Sequence, residues 1–224
     1  MKFKAYTLHK LLKLTLLACL SVTAVANGNE EESVSVKLSL LSLGSTLRNL
    51  HFDTTEGRQI ITVTNAARTA SFQYVGQPEL VFYRTDSTTN GEVETNIPIA
   101  AIDLRNQSGN LLLLFSPTGK QDRMRIFPLP EAEEDFPNDS WRLFNLTRSA
   151  LAVAAKEAEP VMIPSRELRT LTIQSDQART RRVEIAIYRE DGWEMIYRSL
   201  WSHRPDSRTL VFITPQGDND ERIR

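Results

Sequence analysis

From Ser33 onward the chain alternates apolar and polar side chains with a period of two. Val34, Val36, Leu38 and Leu40 are separated by Ser35, Lys37 and Ser39, the pattern of an extended strand with one buried face. By the same reading, strands are expected at 47–53, 58–64, 69–75, 79–85, 97–104, 110–116 and 122–128, and again at 141–147, 149–155, 160–163, 167–174, 182–190, 193–201 and 208–214. Asn90-Gly91, Ser108-Gly109 and Asp191-Gly192 punctuate these runs. Asp191-Gly192, set between two alternating runs, predicts a tight hairpin. Between the two sets lie Pro128-Leu129-Pro130, the acids Glu131, Glu133, Glu134 and Asp135, and Phe136-Pro137-Asn138-Asp139, which have the chemistry of a solvated linker. The stretch from Ser149 to Glu159 is rich in the helix formers Ala, Lys and Glu. Leu151 and Val153 nevertheless alternate and Pro160 closes the run, so strand into turn is expected, with a short helix as the alternative.

So many short strands predict an all-β fold. About seven per half suggest two tandem immunoglobulin-like β-sandwich modules, at 33–130 and 137–217, joined by an acidic linker at 131–136. One larger β-sandwich is the alternative. The halves also echo each other. Glu79-Leu80-Val81-Phe82-Tyr83-Arg84-Thr85-Asp86 is similar to Glu184-Ile185-Ala186-Ile187-Tyr188-Arg189-Glu190-Asp191, and the run starting at Leu112 is similar to the run starting at Leu210. The spacing is 33 residues in the first half and 26 in the second, a difference that a longer surface loop at 86–96 would absorb.

The first residues break this pattern. Lys2, Lys4, Lys10 and Lys13 precede the short apolar run Leu14–Val22, and Ala24-Val25-Ala26 has the small-x-small form of a cleavage site. Residues 1–26 therefore read as a secretory signal peptide, with an uncleaved anchor as the alternative. Lipidation at Cys19 is a minor alternative, because Leu17 stands where a small residue is usual. The full chain has 224 residues, 25% charged and 41% hydrophobic, with a net charge of −1, which excludes collagen-like, disulfide-scaffold and wholly disordered classes. Removing 1–26 takes away four lysines and no acid, leaving 23 basic against 28 acidic side chains, a balance of −5. It also removes the only Cys, so the exported chain must be held by its core rather than by disulfides. Residues 27–32 and 218–224 read as charged tails. A periplasmic or secreted location is expected, with no membrane span after cleavage.

The segment Arg142-Leu143-Phe144-Asn145-Leu146-Thr147, following Phe136-Pro137, resembles the start of small β-sandwich repeats in uncharacterised exported bacterial envelope proteins. The likeness covers roughly residues 136–217 and rests on a short motif. It implies a fold and an envelope location, and no catalytic residue.

Candidate chemistry is sparse. Zinc needs three or four clustered ligands, and after cleavage only His51 and His203 remain besides the carboxylates. The acidic stretches lack the spacing of a calcium loop. No phosphate or dinucleotide loop and no nucleophile elbow occurs, so no metal and no cofactor is expected. A Ser/His/Asp triad could use only His51 or His203, and His203, in the polar stretch Ser202–Asp206, reads as a solvent-exposed loop residue. Paired carboxylates for glycoside hydrolysis have many possible members, and no pair is singled out. Trp193, Met195, Tyr197 and Trp201 share one strand parity against Glu194 and Arg198, so they read as sandwich core. As an exposed stripe they would stack sugar rings. Tyr83 and Tyr188 read as outward-facing, suited to an interdomain or partner contact. Arg166, Arg169, Arg179, Arg181 and Arg182 are near one another in sequence and would attract an anionic polymer or headgroup. Nucleic acid is not an expected partner of an acidic exported chain. Asn106, Asn138 and Asn145 each begin a glycosylation triplet.

The expected function is an exported, non-catalytic binding or structural protein of the cell envelope, with an envelope protein or polysaccharide as partner. One alternative is an extracellular carbohydrate-binding protein, which an exposed Trp193/Trp201 pair would favour. Another is a periplasmic chaperone-like two-domain protein working by strand addition. A hydrolase is disfavoured by the scarce His, the absent Cys and the missing motifs.

Overall fold

The structure, a computed structural model, describes residues 33–87, 94–120, 122–155, 159–173, 180–190, 192–216 and 223. Residues 1–26, expected to be a signal peptide, with Cys19, the expected tail 27–32, the expected Asn90-Gly91 turn, Arg179, Asp191 and the expected tail 218–224 apart from Ile223 lie outside the described residues. The chain is all-β. Its strands are β1 (Val34–Ser42), β2 (Leu47–Thr54), β3 (Gly57–Val63), β4 (Phe72–Gly76), β5 (Glu79–Ser87), β6 (Glu94–Asp103), β7 (Asn110–Pro117), β8 (Met124–Pro130), β9 (Ser140–Asn145), β10 (Leu151–Ala155), β11 (Val161–Ile163), β12 (Leu168–Thr172), β13 (Thr180–Arg189), β14 (Gly192–Ser202) and β15 (Arg208–Ile213). Each strand predicted from alternation is present, with its ends moved by a few residues. The ambiguous run after Ser149 forms β10, not a helix, over Leu151–Ala155. β13 and β14 pair antiparallel as a hairpin, in which Gly192 pairs with Arg189 and takes φ 116°, where a glycine is favoured.

Four sheets form. Sheet A has the order β4-β1-β7-β8, sheet B β3-β2-β5-β6, sheet C β12-β9-β15 and sheet D β11-β10-β13-β14. In sheet A, β1 runs antiparallel to β4 and parallel to β7. In sheet C, β9 runs antiparallel to β12 and parallel to β15. Strands 1–7 and strands 9–15 therefore share one order. The echoed segments fall on corresponding strands, β5 with β13 and β7 with β15. Among the described residues β8 has no counterpart, so sheet C has one strand fewer than sheet A.

Three apolar clusters show how the sheets stack. One, built on Leu38, Leu40, Phe52, Phe82, Leu113 and Phe115, lies between sheets A and B. Another, with Trp141, Leu143, Val153, Val183, Ile185 and Ile187, lies between sheets C and D. The third joins Leu41, Leu112, Leu114 and Leu129 of sheet A to Phe144 and Leu146 at sheet C. The layer order is B–A–C–D. β7 sits in an inner layer: Leu111, Leu113 and Phe115 face one core and Leu112 and Leu114 the other. A strand buried on both faces has no polar side, hence the unbroken apolar run Leu111–Phe115.

Of the acids after β8, Glu133, Glu134 and Asp135 are exposed, whereas Glu131 is pinned. The Glu131 carboxylate accepts hydrogen bonds from the Arg68 guanidinium and from Ser39 Oγ. Phe136 is buried, with the guanidinium carbons of Arg142 and Arg208 at 5.4 and 5.7 Å from its ring centre. Arg142 donates to the Pro130 carbonyl. Burial lowers the Arg142 pKa, against the opposing pull of Asp135 and Glu131. The Arg-φ-φ-Asn-φ-Thr motif thus has a structural role. Asn145 is buried, and its Nδ2 lies 2.8, 3.0 and 3.1 Å from the carbonyl oxygens of Ser149, Ile163 and Pro164. Its Oδ1 accepts from the Thr147 N–H and hydroxyl at 2.9 and 2.7 Å.

Candidate functional site: the outer face of sheet D

Only two broad sheet faces remain outermost in the stack, those of sheets B and D. Sheet D presents an apolar outer face because of one irregularity. The pairing of β13 with β14 runs in register from Arg189↔Gly192 to Ala186↔Met195, then shifts so that Ile185 faces Tyr197. Ile196 is the extra residue. A bulge of this kind flips the parity of everything beyond it. Tyr197 and Trp201 therefore pack against the core, whereas Trp193 and Met195 are 44% and 48% exposed. The expectation that all four residues line the core is corrected for Trp193 and Met195. Trp201 instead sits beside buried Trp141, with ring centres 5.2 Å apart.

Across sheet D the register aligns Met162, Ala152, Ala186 and Met195 in one row. The neighbouring row pairs Tyr188 with Trp193. Tyr188 is 58% exposed, and its ring meets that of Trp193 at 5.2 Å and 63°. Two exposed methionines and an aromatic pair thus flank a floor of half-buried alanines. On the far side Glu184 and Arg198 form an ion pair of 2.9 Å that borders the patch. Exposed Leu200 lies beyond it, opposite Arg182. Contiguous apolar surface rimmed by charge is the signature of a contact surface.

Tyr83 lies on the outer face of sheet B, half-buried and stacked on buried His51 at 5.5 Å and 17°. Tyr83 and Tyr188 therefore occupy opposite outermost layers. Neither takes part in the contact between the halves, which is made by the Leu112, Leu114, Phe127 and Phe144 side chains. The arginines expected to cluster are dispersed. Arg166 is exposed in the turn after β11, and Arg169, on β12 of sheet C, pairs with Glu167 at 2.7 Å. On β13, Arg181 is buried and Arg182 is exposed, because consecutive strand residues face opposite ways. His203 is buried, not solvent-exposed. Its Nε2 lies 3.0 Å from Asp139 Oδ1, while its Nδ1 has no hydrogen-bond partner. Among the described residues no serine hydroxyl is hydrogen-bonded to His203. Among the described residues no group of three or more His, Cys, Asp or Glu is gathered as for a metal, and no helix is long and apolar enough to cross a membrane. Asn106 and Asn138 are exposed, whereas Asn145 is buried with its amide engaged.

An opening of about 660 Å³ lies between β3 and β4, which are edge strands of sheets B and A. Phe52, Ile61 and Phe72 give it apolar walls, and Thr62, Thr69 and Ala70 lie around them. No protein-family model matches the chain, and comparison with curated proteins finds no similar sequence.

Proposed function

We propose that this chain is an exported, non-catalytic binding protein of the cell envelope, built of two sandwich modules, that holds a partner protein on the outer face of sheet D. The leader pattern of residues 1–26 supports export. The observation that carries the binding reading is the exposed row Met162–Ala152–Ala186–Met195 beside the Tyr188–Trp193 pair. Protein is favoured over polysaccharide by ring geometry. Rings inclined at 63° cannot both lie flat on one sugar chain, and Trp193 and Trp201 face opposite sides of the sheet. Methionines adapt to an apolar protein surface.

The test is affinity capture from solubilised envelope, with eluates assayed for proteins and sugars. The expected result is one enriched protein, lost with Tyr188→Ser/Trp193→Ser while the circular dichroism spectrum is unchanged. Polysaccharide enriched without protein, capture undiminished in the double variant, or self-association abolished by it would each overturn the proposal. A second reading, strand capture by β-augmentation, is favoured by the opening between β3 and β4. It predicts the opposite selectivity: Ala70→Arg, which fills that opening, would block capture, and the Tyr188/Trp193 variant would not.

A further inference from the structure

The end of the sandwich between sheets A and B opens into a pocket of about 320 Å³. Its floor is apolar and includes the buried core side chains Leu50 and Ile99. Around it converge Arg48 from β2, Arg84 from β5, and Lys120 and Arg123 from the β7–β8 hairpin, with Asp122 as the acid among them. Among the described lining residues, four cations against one carboxylate leave a local charge of +3 in a chain whose net charge is −1.

Two of the four cations, Arg84 and Arg123, have partners within the protein. Arg84 and Asp122 form a two-pronged pair, with Nη1–Oδ1 at 3.2 Å and Nη2–Oδ2 at 2.9 Å. That pairing holds the Asp122 carboxyl below its usual pKa range, so it stays ionised. Arg123 donates to the Pro98 carbonyl at 2.7 Å. No acceptor among the described residues takes the side chain of Arg48 or of Lys120, both of which are exposed. Arg48 owes its place to a bulge. The β2–β3 register shifts between Leu47 and Leu50, and Asn49 takes φ 51° there. Bulges redirect side chains in this way, and Asn tolerates that backbone conformation better than most residues.

We infer that this pocket binds a phosphomonoester, the oxyanion held by Arg48, Lys120 and Arg123 and the organic part resting on the floor formed by Leu50 and Ile99. A carboxylate carries a single charge and leaves most of the site uncompensated. A phosphomonoester near neutral pH carries between −1.5 and −2, with three acceptor oxygens. Guanidinium groups match such oxyanions through paired N–H donors. The same chemistry is offered by a soluble phosphate ester and by a phosphomonoester lipid headgroup.

Calorimetric titration of the purified full chain with inorganic phosphate and glycerol 3-phosphate tests the site, and sedimentation with vesicles identifies the source. Vesicles of phosphatidylcholine with phosphatidic acid are compared with phosphatidylcholine alone. Saturable binding at one site is expected, weakened about tenfold or more by Arg48→Gln/Lys120→Gln through loss of two charge-assisted contacts. Asp122→Asn, which removes the competing carboxylate, is expected to tighten it. Binding in solution without vesicle sedimentation supports the site with a soluble ester as ligand. Sedimentation with phosphatidic acid that the double variant abolishes supports it with a headgroup as ligand. Absence of saturable binding to any probe would overturn the inference, as would affinities that fall no further for the double variant than for the distant Arg166→Gln.

Discussion

Asn145 concentrates more hydrogen bonding in one side chain than any other residue described above. Its amide nitrogen reaches three backbone carbonyls, of Ser149, Ile163 and Pro164, and its carbonyl oxygen takes both polar groups of Thr147. It thereby ties the end of β9 to the turn before β10 and to the end of β11. Asn145→Ala leaves several buried groups unpaired, each at a cost of about 1–3 kcal/mol. The expected loss of stability is about 3 kcal/mol or more, in the range reserved for broken buried networks. Urea unfolding measures it, and a loss below about 1 kcal/mol would show that water replaces the amide. Asn145→Asp should be no milder, because a carboxylate has no hydrogen to donate to the three carbonyls. The same burial explains why the Asn145-Leu146-Thr147 triplet is not an accessible acceptor for a glycan.

At the scale of elements, β14 decides what the outer face of sheet D looks like, through the single inserted residue Ile196. The three tryptophans then divide cleanly. Trp141 is 1% exposed and Trp201 is half-buried beside it, while Trp193 is 44% exposed. Acrylamide should therefore quench the unaltered protein partially, and Trp193→Phe should remove most of the quenchable fluorescence. Trp141→Phe should leave that quenchable part in place. Equal quenching of Trp193 and Trp201 would mean that the bulge is absent and that β14 keeps one parity throughout. Alternation was enough to locate the strands, because each has a wet face or a bounded apolar run. It was not enough to place Trp193 and Met195. The bulge has no signature in the sequence, so Trp193, Met195, Tyr197 and Trp201 look like one stripe until the register of β13 is known. Proximity in sequence also misled for Arg166, Arg169, Arg181 and Arg182, since β12 and β13 belong to different sheets. Conversely, Arg48, Arg84, Lys120 and Arg123 meet only because a bulge, a strand end and a hairpin converge, and no local pattern announces that.

At the scale of the whole molecule, stability should depend on whether the inner sheets A and C act as one. Their contact is a dry cluster in which the rings of Phe127 and Phe144 meet edge-to-face, 4.9 Å apart at 82°. Leu41, Leu112, Leu114, Leu129 and Leu146 are buried around them. Each such side chain contributes on the order of 1.5–3 kcal/mol when fully buried, so separating the halves would forfeit a large share of the margin that keeps a domain folded. The halves should therefore unfold together. The distribution of tryptophan makes this measurable. Trp141, Trp193 and Trp201 all lie in the second half, so fluorescence reports on sheets C and D alone, whereas far-ultraviolet circular dichroism reports on all four sheets. In urea the two signals should trace one transition for the unaltered protein, the usual mark of two-state unfolding. Phe127→Ala removes one ring of the edge-to-face pair without touching the core between sheets A and B or that between C and D. The circular dichroism and fluorescence transitions should then separate. Transitions already distinct in the unaltered protein would show that the interface does not couple the halves. Transitions that stay merged after Phe127→Ala, with both shifted equally, would show that the surrounding leucines suffice to couple them without the aromatic pair.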